Sequence, residues 1–404
     1  TNMYDYKIAI IGVGYVGLPL LEAFSINKEN EVRGYDISEE RINTVRQKLV
    51  NSDIRLLLTS NINEIASSNV YIVTVPTPID KNDRPDLTCL SDVCLKLGYI
   101  VKENDIIIFE STVYPTMTED YCIPMIEAKT KLQAGKDFFY GYSPERVNVG
   151  DSKHTLTKTI KIVAGCDEQT KKKIANIYKT IPGLKVETVA SIKIAEAAKL
   201  MENTQRDILI AFANEYSDFC TQIGVDINDV IAAAATKWNF SQVYPGLVGG
   251  HCISVDPYYL LQKASDIGMA LPLVSMARKV NENKVSKVVD RFLKRVRDLD
   301  ATTENKKILI IGFAYKKNSA DIRNTKVANI VKELEIQGYK VDVYDPLVNK
   351  NAAEKMYGIH LVTKEEYTHC HYIGILEAVP HDAFQNLNID NSISNLTLKI
   401  EQLL

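Results

Sequence analysis

The sequence contains no apolar run approaching the roughly 18 residues that a membrane span requires. It has no basic tail and no long run of like charge, and its formal net charge is −3. That excludes the electrostatic footprint of a nucleic-acid binder. A strand-like apolar pattern begins almost at once, so no signal peptide is visible. These absences lead to the expectation of a cytoplasmic protein with neither membrane nor nucleic acid as partner. Cysteine is scattered, at 89, 94, 122, 166, 220, 252 and 370. An odd, unclustered set suits neither a disulfide framework nor a zinc site. No metal is therefore expected, and most of these thiols read as small buried hydrophobes. The rest is an ordinary globular balance: 404 residues, 46% hydrophobic and 25% charged, enough for two or three domains.

The stretch YKIAIIGVGYVGLPLLEAF is an apolar run ending in Gly12, Gly14 and Gly17, after which helical spacing takes over. EVRGYDIS follows as a second strand ending in Asp36. Strand, glycine turn, helix, strand and an acid about 20 residues on is the pattern of a dinucleotide-binding unit. Gly12 allows the tight turn, Gly14 lets backbone approach a pyrophosphate at the helix N-terminus, and Gly17 lets helix and strand pack closely. Asp36 would accept hydrogen bonds from the adenosine ribose and repel a 2′-phosphate. NAD is thus expected over NADP, a preference that nearby Arg33 and Arg41 weaken. A glycine turn of purely structural use is the competing reading.

VYIVTVPTP, DIIIFESTVYP and FFYGYSPERV continue the alternation, as strands ending at Thr77, at Ser111 and Thr112, and at Ser143, Glu145 and Arg146. Ligand crevices lie at the carboxyl ends of parallel strands, which makes Thr77, Thr112 and Glu145 candidates for one cleft. Capping of the following helices explains any one of them as well. From Ser191 the pattern becomes one long helix, ending at Gly224 as a C-cap. It suits a spine between domains and a dimer face. Lys199 and Asn203 share a face of it. A solvated surface is the usual fate of such a lysine, whereas Asn203 is a poor helix former mid-helix.

YPGLVGGHCISVDPYYL places Cys252 behind Gly249 and Gly250, with Asp256 four residues on and Pro257 directly after. Glycines there contribute no packing, so the segment reads as shaped for close approach. Asp256 before Pro257 also fits an N-cap before a first-turn proline. Helices are expected from near Pro257 and from Leu273 to Leu299, and DLDATTENKK reads as a linker. KKILIIGFAYKKNSADIRNTKVANIVKELEIQGYKVDVYDP repeats strand, turn, helix and strand up to Asp345, but keeps only Gly312. No dinucleotide is expected there. Lys316, Lys317 and Arg323 in its turn suit a diphosphate, such as that of a nucleotide sugar, or are solvated lysines on a loop. The expected fold class is α/β: two Rossmann-like doubly wound domains joined by a long central helix and a helical middle domain, with bounds at 1–190, 191–300 and 301–404.

GVGYVGLPL, VPTP, ESTVYP, YSPERVN, AEAAKLMENTQRD, GLVGGHCISVDPYYL and FAYKKNSADIRNTKV come in the order of the UDP-glucose/GDP-mannose dehydrogenase family, which the chain resembles over nearly its whole length. GGHC followed by VDPYYL, with ENTQRD before it, is most similar to the branch that oxidises UDP-GlcNAc, UDP-GalNAc or UDP-ManNAc. The resemblance implies a four-electron oxidation of a sugar C6 alcohol to a carboxylate with two NAD⁺. An aldehyde is a poor hydride donor; a thiolate added to it gives a thiohemiacetal that can lose a second hydride. Cys252 matches that nucleophile, and a helix N-terminus or Lys199 nearby would favour its thiolate. Lys199 matches the lysine that stabilises the oxyanion, Asn203 its hydrogen-bonding helper, and Asp256 the acid that orients or activates water. Thr112 and Glu145 match positions near the nicotinamide and the reacting carbon.

The same resemblance carries cofactor contacts onto Gly12, Gly14, Tyr15, Val16, Gly17, Asp36, Arg41, Thr77, Thr112 and Arg323. It carries substrate contacts onto Glu145, Arg146, Lys199, Asn203, Arg206, Tyr244, Gly246, Gly249, Gly250 and Lys316. A homodimer is expected. Some positions depart from the pattern. Val255 stands where UDP-glucose dehydrogenases carry lysine, and Val149 where they often carry a second glutamate; both weaken the UDP-glucose reading. Thr116 stands where the family usually has glycine. NLTLKIEQLL lacks the aspartate-containing strand often found there, which puts the last strand in doubt. The alternatives are a UDP-glucose 6-dehydrogenase, a single-hydride alcohol dehydrogenase with Cys252 incidental, and a non-catalytic NAD-binding protein.

Overall fold

The computed structural model describes residues 6–49, 57–147 and 155–404. Val149 lies outside the described residues. The chain divides into two compact units, Thr1–Glu202 with Tyr258–Gly268, and Asn203–Pro257 with Met269–Leu404.

The first unit is built on an eight-stranded sheet: β1 Tyr6–Ile11, β2 Asn30–Tyr35, β3 Leu57–Thr59, β4 Val70–Val73, β5 Ile106–Phe109, β6 Phe139–Tyr142, β7 Lys161–Gly165 and β8 Val186–Thr188. Their spatial order is β3-β2-β1-β4-β5-β6-β7-β8. Every pairing is parallel except β6 with β7. Strands covered on both faces by helices need apolar residues throughout, and Ile8–Ile11 and Val70–Val73 are accordingly buried in full runs. Chain order reverses direction between β1 and β4, the switch point where doubly wound sheets open a crevice. The glycine turn leaves β1 there.

The second unit carries β9 Lys307–Ile311, β10 Lys340–Tyr344, β11 Gly374–Glu377 and β12 Thr397–Lys399, in the order β10-β9-β11-β12 and all parallel. β12 forms although the expected aspartate is missing. Alternation suffices for a short edge strand: Leu398 is buried and pairs with Leu376, while Thr397 and Lys399 face outward.

The long helix runs Ile192–Ile223 and stops at Gly224, whose φ of +75° is the left-handed cap its sequence suggests. Within the second unit this helix is tied to the helix Pro272–Leu299 by fully buried charge. Arg278 donates to both oxygens of Asp207, and Asn281 donates to Asp207 Oδ1 at 2.7 Å. Lys284, also buried, donates to Asp218 at 3.0 Å.

Candidate active site

At the first glycine turn, Gly12 has φ +97° and its N–H donates to the Tyr35 carbonyl at 2.8 Å. A Cβ on Gly17 would lie 1.7 Å from the Gly12 carbonyl oxygen, so helix and strand could not approach as they do. Gly14 differs: a Cβ there would meet nothing within 4 Å. Protein packing does not require that glycine. The open space beside its backbone fits a pyrophosphate, next to a helix Gly17–Ser25 whose N-cap, Val16, offers no side-chain acceptor. Asp36 accepts from Val13 N–H at 3.0 Å and from Ser38 N–H at 2.9 Å. Each carboxylate oxygen keeps a further lone pair that a ribose hydroxyl can use. Arg41 lies 6.0 Å from the ring centre of Tyr15. Arg33 is engaged elsewhere, on Glu31 and the Glu64 carbonyl. These residues fit NAD.

The turn after β9 copies this frame. Gly312 N–H donates to Tyr344 at 2.8 Å and Phe313 N–H to Asp345 at 2.7 Å. Here, however, the His381 imidazole closes on Asp345 at 2.9 Å, and both are buried. Burial pushes the Asp345 carboxyl up, but His381 and the backbone donors outweigh it and hold the pKa below the usual range. The acid that could read a ribose in the first turn is sealed in the second.

In the first unit, Thr77 is buried, and Thr112 and Glu145 are half-buried beyond β5 and β6. For Thr77 and Thr112 the capping reading falls away: the next described helical segments have Leu87 and Met117 at their N-caps. Lys199 is buried rather than solvated, and its ammonium donates to the Glu145 carbonyl. The Glu145 carboxylate turns to Val147 N–H at 2.5 Å. Arg146 is held by Glu202 at 2.8 Å and by the Ile160 carbonyl.

In the second unit, Cys252 is half-buried, and its carbonyl accepts from Val255 N–H at 3.0 Å and Asp256 N–H at 2.8 Å. The chain thus winds directly into the helix Asp256–Asp266, and Asp256 is its first residue rather than a cap outside it. Its carboxylate instead accepts from Asn203 Nδ2 at 2.5 Å. Gly250 has φ +85°, and a Cβ there would strike the Tyr315 ring at 2.7 Å. Gly249 is pressed equally close to the Asn324 carbonyl. Gly246 is held at both N–H and C=O by Asn214. Together with Tyr315, Lys316, Lys317 and Lys326, Gly246 and Gly249 line a cleft of about 170 Å³. Lys317 pairs with Asp382 and Lys326 with Glu282. Arg323 grips Asp321 through Nε and a terminal nitrogen, and reaches His251 Nδ1 at 3.0 Å. Arg206 and Tyr244 are exposed. Among the described residues, no group of three or more His, Cys, Asp and Glu could hold a metal ion, and no helix is long and apolar enough to cross a membrane.

The NAD binding, central and UDP binding domains of the UDP-glucose/GDP-mannose dehydrogenase family match residues 6–182, 193–283 and 309–400. The chain belongs to this family. It is an NAD-dependent oxidoreductase that acts on a nucleotide sugar. It is 41% identical to a UDP-N-acetyl-D-glucosamine 6-dehydrogenase of Pseudomonas aeruginosa, over 96% of this chain and 94% of that one. It is 39% identical to Protein CapL of Staphylococcus aureus, over 93% and 90%. A solved UDP-D-ManNAc dehydrogenase from Pyrococcus horikoshii superposes with a TM-score of 0.84 at 27% identity, covering 97% of this chain and 94% of that one.

Three features of this family member have no local motif. Thr74 Oγ1 donates to the Gly12 carbonyl at 2.7 Å and braces the turn from β4. Glu110, fully buried, takes Lys161 at 3.0 Å, and the same ammonium reaches the carbonyls of Ser143 and Pro144 just ahead of Glu145. Burial pushes Glu110 up, against the pull of Lys161. Glu196 binds the segment around Thr116. An unexpected acid in the strand DIIIFE and a lysine opening β7 were the only hints of the second.

Proposed function

We propose that this dehydrogenase oxidises the C6 hydroxyl of a UDP-N-acetylhexosamine to the carboxylate, for a surface polysaccharide. The observation that carries the reading is the cluster in the second unit. A cysteine sits one turn ahead of Asp256, and Asp256 is bonded to Asn203. The C6 alcohol first loses a proton and a hydride, giving an aldehyde. The Cys252 thiolate adds to the aldehyde carbon, and the thiohemiacetal loses a second hydride to become a thioester. Water, oriented by Asp256, displaces the thiolate and leaves the carboxylate. NAD⁺, bound at the residues named for it, supplies the hydride acceptor in both oxidations. Lys199 and Asn203 stabilise the oxygen anions, and Thr112 and Glu145 position the reacting carbon. Lys316 and Arg323 serve phosphate and cofactor, with Arg146, Arg206 and Tyr244 among the substrate contacts.

The hexosamine is supported by Val255, which replaces the lysine expected for UDP-glucose, and by relatives named as UDP-N-acetylhexosamine dehydrogenases. We assign NAD to residues 1–190, the catalytic loop to 191–300 and the UDP-sugar to 301–404. A nucleophilic thiol must stay reduced, which favours the cytoplasm. Phe212, Tyr216 and Phe219 meet in tilted and edge-on ring contacts on the long helix, each residue 40–54% exposed, which supports a homodimer through that face. A panel of UDP-sugars followed by NADH absorbance tests the reaction. Two NADH per UDP-N-acetylhexosamine supports it. A preference for UDP-glucose, or one NADH with free aldehyde, refutes it.

A further inference from the structure

Glu196 has no side-chain exposure, yet no step of the proposed chemistry uses it. It lies one turn before Lys199 on the helix Ile192–Ile223. Its Oε1 accepts from Thr116 N–H at 3.0 Å, and its Oε2 from Thr118 N–H at 3.0 Å and Thr118 Oγ1 at 2.9 Å. These donors belong to the segment that leaves β5 and carries Thr112. The segment is held in an unfavourable shape. Thr116 has φ +88°, a conformation that a β-branched residue rarely adopts and that accounts for the glycine usual there. Lys263 Nζ donates to Thr116 Oγ1 at 2.9 Å. Directly after, Thr118–Cys122 winds as a wide π-turn, a local irregularity frequent at functional sites.

The three donors require three acceptor lone pairs. An ionised carboxylate supplies them; a protonated one turns an oxygen into a donor facing donors. Among the described residues, these charges and titratable groups act on it or lie beside it. Glu119 on the π-turn raises the Glu196 pKa, the Cys122 thiol feels Glu196 in return, Lys263 acts through Thr116, and Lys199 follows on the helix. Burial is the largest influence on Glu196 and pushes it up to about 7, against the pull of the Thr116 and Thr118 donors.

We propose that Glu196 is a positioning residue: ionised, it clamps the Thr112 segment to the helix that bears Lys199, and its protonation releases the segment and slows the reaction. This rests on the proposed roles of Thr112 and Lys199. The decisive variants are Thr118→Val, which removes one donor and no charge, and Glu196→Gln. In the wild type, kcat/KM should fall about tenfold per pH unit below about pH 7. Thr118→Val should move that limb to higher pH by about half a unit or more, because a lost donor favours the protonated acid. Glu196→Gln should flatten the limb and lower the plateau kcat at least about tenfold, with KM for NAD unchanged. Difference infrared spectra give a readout without turnover: a buried carboxylic-acid band lost as pH rises through about 7, shifted by Thr118→Val and absent from Glu196→Gln. A limb and band unmoved by Thr118→Val overturn the clamp, even if Glu196→Gln fails to fold. A wild type that makes no NADH from any UDP-sugar sinks the proposed reaction instead, and the infrared titration still decides whether Glu196 ionises as described.

Discussion

The side-chain amide of Asn203 meets the carboxylate of Asp256 at 2.5 Å. An asparagine mid-helix costs several tenths of a kcal/mol relative to alanine, and this contact is what it provides in return. The amide fixes the orientation of a carboxylate that is otherwise almost wholly buried. Asp256→Asn should lower steady-state kcat by about 10²–10⁴-fold by stalling thioester hydrolysis. Rapid-mixing absorbance should then show a burst of NADH proportional to enzyme, followed by slow turnover. A uniform slow phase with no burst would place Asp256 elsewhere in the mechanism.

The two glycines of the first turn should respond oppositely to the same substitution. Gly14→Ala meets open space, so the melting temperature should hold while NAD affinity falls at least about tenfold, or about 1.4 kcal/mol. Gly17→Ala drives a methyl into the Gly12 carbonyl and should cost about 3 kcal/mol or more of stability. Calorimetric titration with NAD and thermal melts separate the two outcomes.

Asp207 is the acceptor for Arg278 and Asn281 inside the second unit. Its removal takes away both Asp207 contacts of a buried guanidinium and leaves it Glu282, a partly exposed acid at 3.2 Å. Asp207→Ala should therefore destabilise by about 3–5 kcal/mol, read as a lowered urea midpoint. Replacing both Asp207 and Arg278 by apolar residues should cost less than the single change, because no charge is then left unpaired.

Glu196 also predicts the pH dependence of stability. Its folded pKa of about 7 lies above the ordinary 4.5, so the folded chain holds this proton more tightly than the unfolded one. That contribution is complete below about pH 4.5 and is lost as pH rises to about 7, a change of about 3 kcal/mol. Asp218 works in the opposite sense and in a separate window. Burial opposes its ionisation, but Lys287, Lys284 and Arg291 bring it down to about 2, so its contribution is lost only as pH falls from about 4 toward 2. Thermal melts between pH 5 and 8 should show a falling stability that is shallower in Glu196→Gln; Glu110, also pushed up by burial, contributes in the same direction.

Local chemistry made much of this molecule legible. The expected helix from Ser191 to Gly224 is observed as Ile192–Ile223, and the one expected from Leu273 begins at Pro272. Both have a periodic pattern and a stop signal. The glycine turn was readable because strand, glycines, helix and acid are contiguous. Partnerships across long separations were not. Glu196 lies 78 residues from Thr118, and Glu110 lies 51 from Lys161. No window of sequence shows such a contact before the sheet has assembled. Helical spacing alone leaves Lys199 readable as a solvated lysine, and only the family motif marks it as a site residue; the carbonyl that takes its ammonium lies 54 residues earlier. Thr116 stood out as a replaced glycine, and its positive φ supplies the reason.

The direct test of the central claim is acid formation by Cys252→Ala in the presence of a UDP-N-acetylhexosamine and NAD⁺. Loss of the uronic acid with NAD affinity retained is the predicted result. Uronic acid formed at the wild-type rate, with two NADH per sugar, would contradict it.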